Sequence, residues 1–66
     1  MSNAVATYKI LSSTSAFIEV NYSNGGFGME RVAVRPGFSV YEAAYAAASL
    51  KASFQGDRLD RFSEEA

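Results

Sequence analysis

The chain is 66 residues long and contains neither cysteine nor histidine. A single domain with a small core is the expectation, because a chain of this size buries only about 60% of the surface that its unfolded form exposes. Six Lys and Arg against seven Asp and Glu leave a net charge of −1, and the two missing residue types remove disulfides, thiolate nucleophiles, the commonest zinc ligands and the usual general base near neutral pH.

These absences argue against an enzyme and leave no catalytic, cofactor-binding or metal-ligating residue to nominate. The basic residues Lys9, Arg31, Arg35, Lys51, Arg58 and Arg61 are scattered, whereas nucleic-acid affinity comes from clustered cations that neutralise phosphates. No direct nucleic-acid contact is expected. No apolar run approaches the roughly 18 to 20 residues of a membrane span, and the basic start and long apolar stretch of a signal peptide are missing. The expected setting is cytoplasmic.

Val5-Ala6-Thr7-Tyr8-Lys9-Ile10-Leu11 reads as a first strand, with Ala6, Tyr8 and Ile10 alternating against Thr7 and Lys9 at the period of a half-buried strand. The polar cluster Ser12 to Ser15 forms a turn, since its hydroxyls compete for local backbone groups. A second strand over 16–22 places Ile18, Val20 and Tyr22 on one face and Phe17, Glu19 and Asn21 on the other. Asn24-Gly25 predicts a type I′ hairpin turn, and Gly26 and Gly28 allow a bulge or a longer loop. The glycines do not have phosphate-loop spacing and lead into a strand where such a loop leads into a helix.

The third strand covers about 29–35, with Val32 and Val34 inward and Arg31, Ala33 and Arg35 outward. Pro36-Gly37 ends it. Ser39-Val40-Tyr41-Glu42 fits a capping box, in which the Ser39 hydroxyl accepts from Glu42 N–H and the Glu42 carboxylate returns to Ser39 N–H. The helix runs over about 40–54, with Gly56 as its C-terminal cap. Six of its fifteen residues are alanine and only Glu42 and Lys51 are charged, although a solvated helix normally opposes its apolar stripe with a charged face. Val40, Ala43, Ala44, Ala47, Leu50, Lys51 and Phe54 follow the i, i+3, i+4, i+7 spacing and form the expected sheet-facing stripe. Tyr41, Tyr45, Ala48 and Ala52 then form a flank or outer face. The tyrosines either cover the sheet edge or contact a partner, for which rigid aromatic area is well suited.

The last ten residues carry Arg58 and Arg61 against Asp57, Asp60, Glu64 and Glu65, a local charge of −2. Asp57 to Phe62 reads as a short helix with Leu59 and Phe62 adjacent at i, i+3, or as an irregular tail. A fourth strand is disfavoured because aspartate is, and Ser63 to Ala66 are expected to fray. The four acids, extended by Glu19 and Glu30, form either a solvated tail or a patch for a basic surface. Phe17, Tyr22 and Phe27 have two readings, as core packing or as a stacking platform for single strands.

Phe38-Ser39-Val40-Tyr41-Glu42-Ala43-Ala44 after a strand and Pro-Gly resembles the strand-to-helix corner of plant-type ferredoxins and ubiquitin-like folds over about fifteen residues. The cluster cysteines of the former and the terminal Gly-Gly of the latter are missing, so no function is carried over. In size, lack of cysteine, lack of catalytic residues and acidic character, the whole chain resembles the small phage and mobile-element inhibitors known as anti-CRISPR proteins. That resemblance rests on no shared motif and assigns no residue. It implies a non-enzymatic inhibitor that sets an acidic surface against the nucleic-acid groove of a bacterial defence nuclease complex.

The sequence therefore predicts an α+β domain over 1–66, a three-stranded antiparallel sheet covered on one face by one helix, with a short acidic appendage over 57–66. The expected contact residues are Glu19, Glu30, Asp57, Asp60, Glu64 and Glu65, together with Tyr41 and Tyr45. The expected partner is a protein, with a nucleic-acid-handling effector complex favoured. The alternative is a self-associating module, monomer or weak homodimer, that uses the Tyr41, Tyr45, Ala48 and Ala52 face around a two-fold axis.

Overall fold

The computed structural model describes residues 2–65. It contains β1 (Ser2–Ser12), β2 (Ser15–Asn21), β3 (Phe27–Ala33), α1 (Val40–Phe54) and β4 (Asp57–Glu64). The α+β class and the single helix are as expected, but the sheet has four strands in the order β3-β2-β1-β4. β1 pairs antiparallel with β2 and parallel with β4, so the sheet is mixed. α1 is the crossover between parallel strands at opposite edges.

β4 overturns the helix and tail readings of the C-terminal segment. The register along β1 shifts between Ala4, opposite Leu59, and Val5, opposite Arg61. Asp60 is the extra residue of that bulge. A strand normally repeats every two residues, and one insertion turns the spacing of two inward side chains into three. Leu59 and Phe62 therefore imitate a helical pair while both pack on the core. Ser63 and Glu64 belong to the strand, Glu65 N–H donates to Tyr8 O at 2.7 Å, and Ala66 lies outside the described residues.

The hairpin between β2 and β3 also differs from expectation. Gly25 N–H donates to Tyr22 O at 3.1 Å and Tyr22 N–H to Gly26 O at 2.8 Å. Gly25 has φ +91°, while among the described residues no non-glycine has positive φ. Asn24 therefore cannot supply the left-handed geometry of a type I′ turn, and the loop is the three-residue kind with glycine in the left-handed position. β3 starts two residues earlier than expected and pairs with β2 without a bulge. Gly28 serves packing instead: a Cβ there would stand 2.7 Å from Tyr22 Oη.

Pro36-Gly37 turns the chain, closed by Phe38 N–H to Arg35 O at 3.2 Å. Ser39 Oγ caps α1 by accepting from Glu42 N–H at 3.1 Å; the returning bond from the Glu42 carboxylate is not formed. Gly56 donates to Ser53 O at the helix end, as a C-terminal cap does.

The core is made of small residues. Ala4, Ala6, Ala16, Ala44, Ala48 and Ala52 are fully buried with Ile18 and Val20, and Val32 is nearly so. The strand faces are as expected within the strands, although β3 ends at Ala33 and leaves Val34 and Arg35 beyond it, but the helix is turned from its expected orientation. Ala44, Ala48 and Ala52 point at the sheet, whereas Leu50 is 58% exposed and Phe54 79%. The physical reason is closeness of approach. Alanines on α1 meet alanines on β1 and β2, which lets helix and sheet backbones lie nearer than Leu and Phe would allow, and tight contact recovers dispersion energy along the whole helix.

Candidate functional site

Tyr41 and Tyr45 sit over the β1–β4 side of the sheet. They do not form an outer face. Phe62 is the centre of an aromatic cluster, stacked on Tyr8 with ring centroids 4.6 Å apart and touched edge-on by Tyr41 at 5.5 Å and Tyr45 at 5.3 Å. Tyr8 and Tyr41 also meet edge-on at 5.4 Å. Burial in this cluster, then the charge of Glu64 and the neighbouring Tyr41, holds the Tyr8 hydroxyl above its ordinary pKa. About half of each helix tyrosine remains exposed, so the rings cover the sheet edge and leave their outer surfaces in water. With Ala48 and Ala52 fully buried, the expected Tyr/Ala face is not available as a flat surface for a second copy.

The six acids are dispersed. Asp57 is buried, and both of its carboxylate oxygens are occupied: Ser23 N–H donates at 2.8 Å and Ser23 Oγ at 2.6 Å. These bonds, the side-chain one first, hold its pKa below the ordinary 3.8 against the opposing effect of burial. Asp57 thus ties the β2–β3 turn to the start of β4. Glu30, on the helix-covered face of β3, pairs with Lys51 at 3.4 Å. Glu19 lies on the opposite, open face of the sheet. Asp60, Glu64 and Glu65 run along the β4 edge and are exposed. Of these three only Glu64 and Glu65 are neighbours, and Asp60 stands four residues away along the strand, so the structure does not gather the expected patch.

Two other surfaces stand out. The first is the flank of α1 toward β3, where Ala43, Ala47, Leu50 and Phe54 form a continuous stripe at helical spacing. At its N-terminal end Phe38 is 66% exposed and helps line a shallow groove of ≈ 460 Å³ with Val34, Arg35, Ser39, Glu42 and Ala43. The sequence shows this stripe but places it inward. The signal that assigns it outward is the abundance of alanine at the inward positions of β1 and β2, which only an alanine-faced helix matches.

The second surface is the open face of the sheet, which no helix covers. Phe27 is 61% exposed, Met29 52%, Leu11 45% and Val5 39%. In the strand register Phe17 stands between Lys9 on β1 and Arg31 on β3. Of the three aromatic residues considered as a platform, Phe17 and Phe27 lie on this face, and Tyr22 lies on the other, packed against the core.

Among the described residues no group of three or more Asp and Glu is arranged to hold a metal ion, and no helix is long and apolar enough to cross a membrane. Comparison with protein families, with curated proteins and with solved structures finds no match to this chain, so its own surfaces carry the functional reading.

Proposed function

We propose that this chain acts without catalysis, by binding another protein through the apolar flank of α1. The observation that carries this reading is the exposure of Phe38, Leu50 and Phe54 along one side of a helix whose other side is already packed. Large apolar side chains gathered on one surface of a small protein mark contact sites, and aromatic residues concentrate the energy of such contacts. In the form that the resemblance to anti-CRISPR inhibitors implies, the partner is a nucleic-acid-handling defence complex. Docking by the helix flank replaces the pooled carboxylates as the main contact, and Asp60, Glu64 and Glu65 steer approach from the β4 edge.

The test is binding of the immobilised chain to purified defence nuclease complexes, at low salt and at about 1 M salt, where exposed charges more than about 3 Å apart are screened. Binding is expected to survive high salt and to disappear in a Leu50→Asp, Phe54→Asp double variant whose circular dichroism is unchanged. Binding untouched by that variant, or abolished by salt alone, would overturn the apolar reading.

A second reading is favoured by one observation, the row Lys9, Phe17, Arg31 across the open face. A cation on each side of a ring on an open sheet face, here the half-buried Phe17, is the arrangement on which single-stranded nucleic acid stacks. Fluorescence polarisation with a labelled oligonucleotide at low salt decides it: no retention by the wild-type chain rejects this reading, and retention lost in Phe17→Ala supports it.

A further inference from the structure

The two edges of the sheet are unequal. β4 carries Asp57, Arg58, Asp60, Arg61 and Glu64 and is interrupted by a bulge, the devices by which proteins prevent edge strands from pairing with other chains. β3 carries only Glu30 and Arg31, has no proline and no bulge, and displays Phe27 and Met29. Among the described residues no strand pairs with its outer edge.

Hydrogen bonds at its two ends show which backbone groups are free. Val34 N–H donates to Thr14 O at one end, and Tyr22 N–H to Gly26 O at the other, each at 2.8 Å. In an antiparallel ladder bonded pairs alternate with non-bonded ones. Gly28, Glu30 and Val32 therefore bond to β2, and the N–H and C=O groups of Phe27, Met29, Arg31 and Ala33 point outward from the edge.

We infer that this edge is a homodimer interface, in which β3 of one copy pairs antiparallel with β3 of a second copy about a two-fold axis through Met29. This goes beyond the helix-flank reading and does not depend on it. A two-fold axis normal to the sheet keeps like faces together, so paired residues must share a face. Three such registers overlap five residues or more. One sets Glu30 against Glu30, and another sets Arg31 against Arg31, each a like-charge pair opposite one another. The third sets Met29 against Met29, Phe27 against Arg31 on both sides, and Glu30 against Gly28. It opposes no like charges, places an arginine beside an exposed ring twice and joins the outward-pointing residues as bonded pairs, closing about six backbone hydrogen bonds. The product is one eight-stranded sheet with both helices on the same side and no unguarded edge.

Sedimentation of the full chain over about 10 to 500 μM is expected to show the mass doubling with concentration, as for any self-association. Met29→Pro removes an outward N–H and no bond to β2, so it is expected to leave a cooperatively folded monomer. Met29→Lys guards the same edge without touching the backbone and is expected to give the same result. Since the chain has no other cysteine, Met29→Cys reports the register directly: bonded antiparallel pairs stand about 5.5 Å apart between Cα atoms, within disulfide reach. Mild oxidation is expected to convert it to a reducible covalent dimer, and Lys9→Cys, away from the edge, is expected to form no disulfide cross-link while still associating through β3. A wild-type chain that remains monomeric at the highest concentration overturns the inference. So does a dimer that persists in Met29→Lys and fails to cross-link through Met29→Cys.

Discussion

The two flanks of α1 are both apolar, yet one is buried and the other is in water. The buried flank is Ala44, Ala48 and Ala52, with the half-exposed Tyr41 and Tyr45 beside them; the exposed one ends in Leu50 and Phe54, while Ala43 and Ala47 on the same stripe are partly buried against the core. Side-chain hydrophobicity alone would reverse that choice, since Leu and Phe bury more area than Ala. What decides is the opposing surface. β1 and β2 present Ala4, Ala6 and Ala16 around Ile18 and Val20, a face that a smooth alanine flank meets closely and a bulky one would hold at a distance. Helix orientation here is set by shape complementarity between two surfaces, with the large residues displaced to positions where they remain available.

Substitutions at matched positions on the two flanks test that account. The largest effect is expected from Ala48→Leu, which inserts a bulky side chain at a fully buried position between helix and sheet and is expected to cost about 3 kcal/mol by overpacking, read as a lowered urea midpoint with unchanged slope. Phe62→Ala, which removes the centre of the aromatic cluster that seats Tyr41 and Tyr45, is expected to cost about 2 kcal/mol, less than for a fully buried ring because Phe62 is partly exposed.

Asp57→Asn tests the tie between turn and strand, and its signature lies in pH. The carboxylate has a lowered pKa in the folded state, so its stabilisation is present above the unfolded value near 4 and is lost as pH falls through the folded one. Thermal melts between about pH 2 and 6 should show that acid-side loss in the wild type. The variant should be weaker at neutral pH and lack that part of the slope. The smallest effect belongs to the other flank: Leu50→Ala and Phe54→Ala are each expected to change stability by less than about 0.5 kcal/mol. A loss of 2 kcal/mol or more at either position, on the scale of a buried side chain, would show that the helix is turned the other way.

Much of the fold was legible because local chemistry and tertiary context agree. The inward faces of β1 and β2, the Pro36-Gly37 exit, the Ser39 cap and the extent of α1 all follow from alternation, turn residues and capping. The rest was hidden for identifiable reasons. At Asp60 a bulge converts a strand repeat into a helical one, so Leu59 and Phe62 mislead any count of periodicity. On α1, two stripes share one helix, and the sequence does not state which is inward without the composition of the sheet. At Asp57 the partner is Ser23, 34 positions earlier, and no local pattern announces a bond of that range. The candidate surfaces inherit the same limits: Tyr41 and Tyr45 were visible as neighbours, but their contact with Phe62 depends on β4.

The parallel pairing of β1 with β4 has a consequence for how the protein is made. Among these four strands β1 is made first and lies inside the finished sheet, yet one of its two neighbours, β4, is made after the other three. The β1-β2-β3 meander can form while the chain is still growing, and it then presents two bare edges where the finished fold has one at β3. Closure waits for α1 to cross the sheet and for β4 to be released, which makes the final step a long-range one of the kind that slows folding. In that interval the unpaired side of β1 is open to neighbouring chains, and the charges gathered on β4 cannot yet protect it.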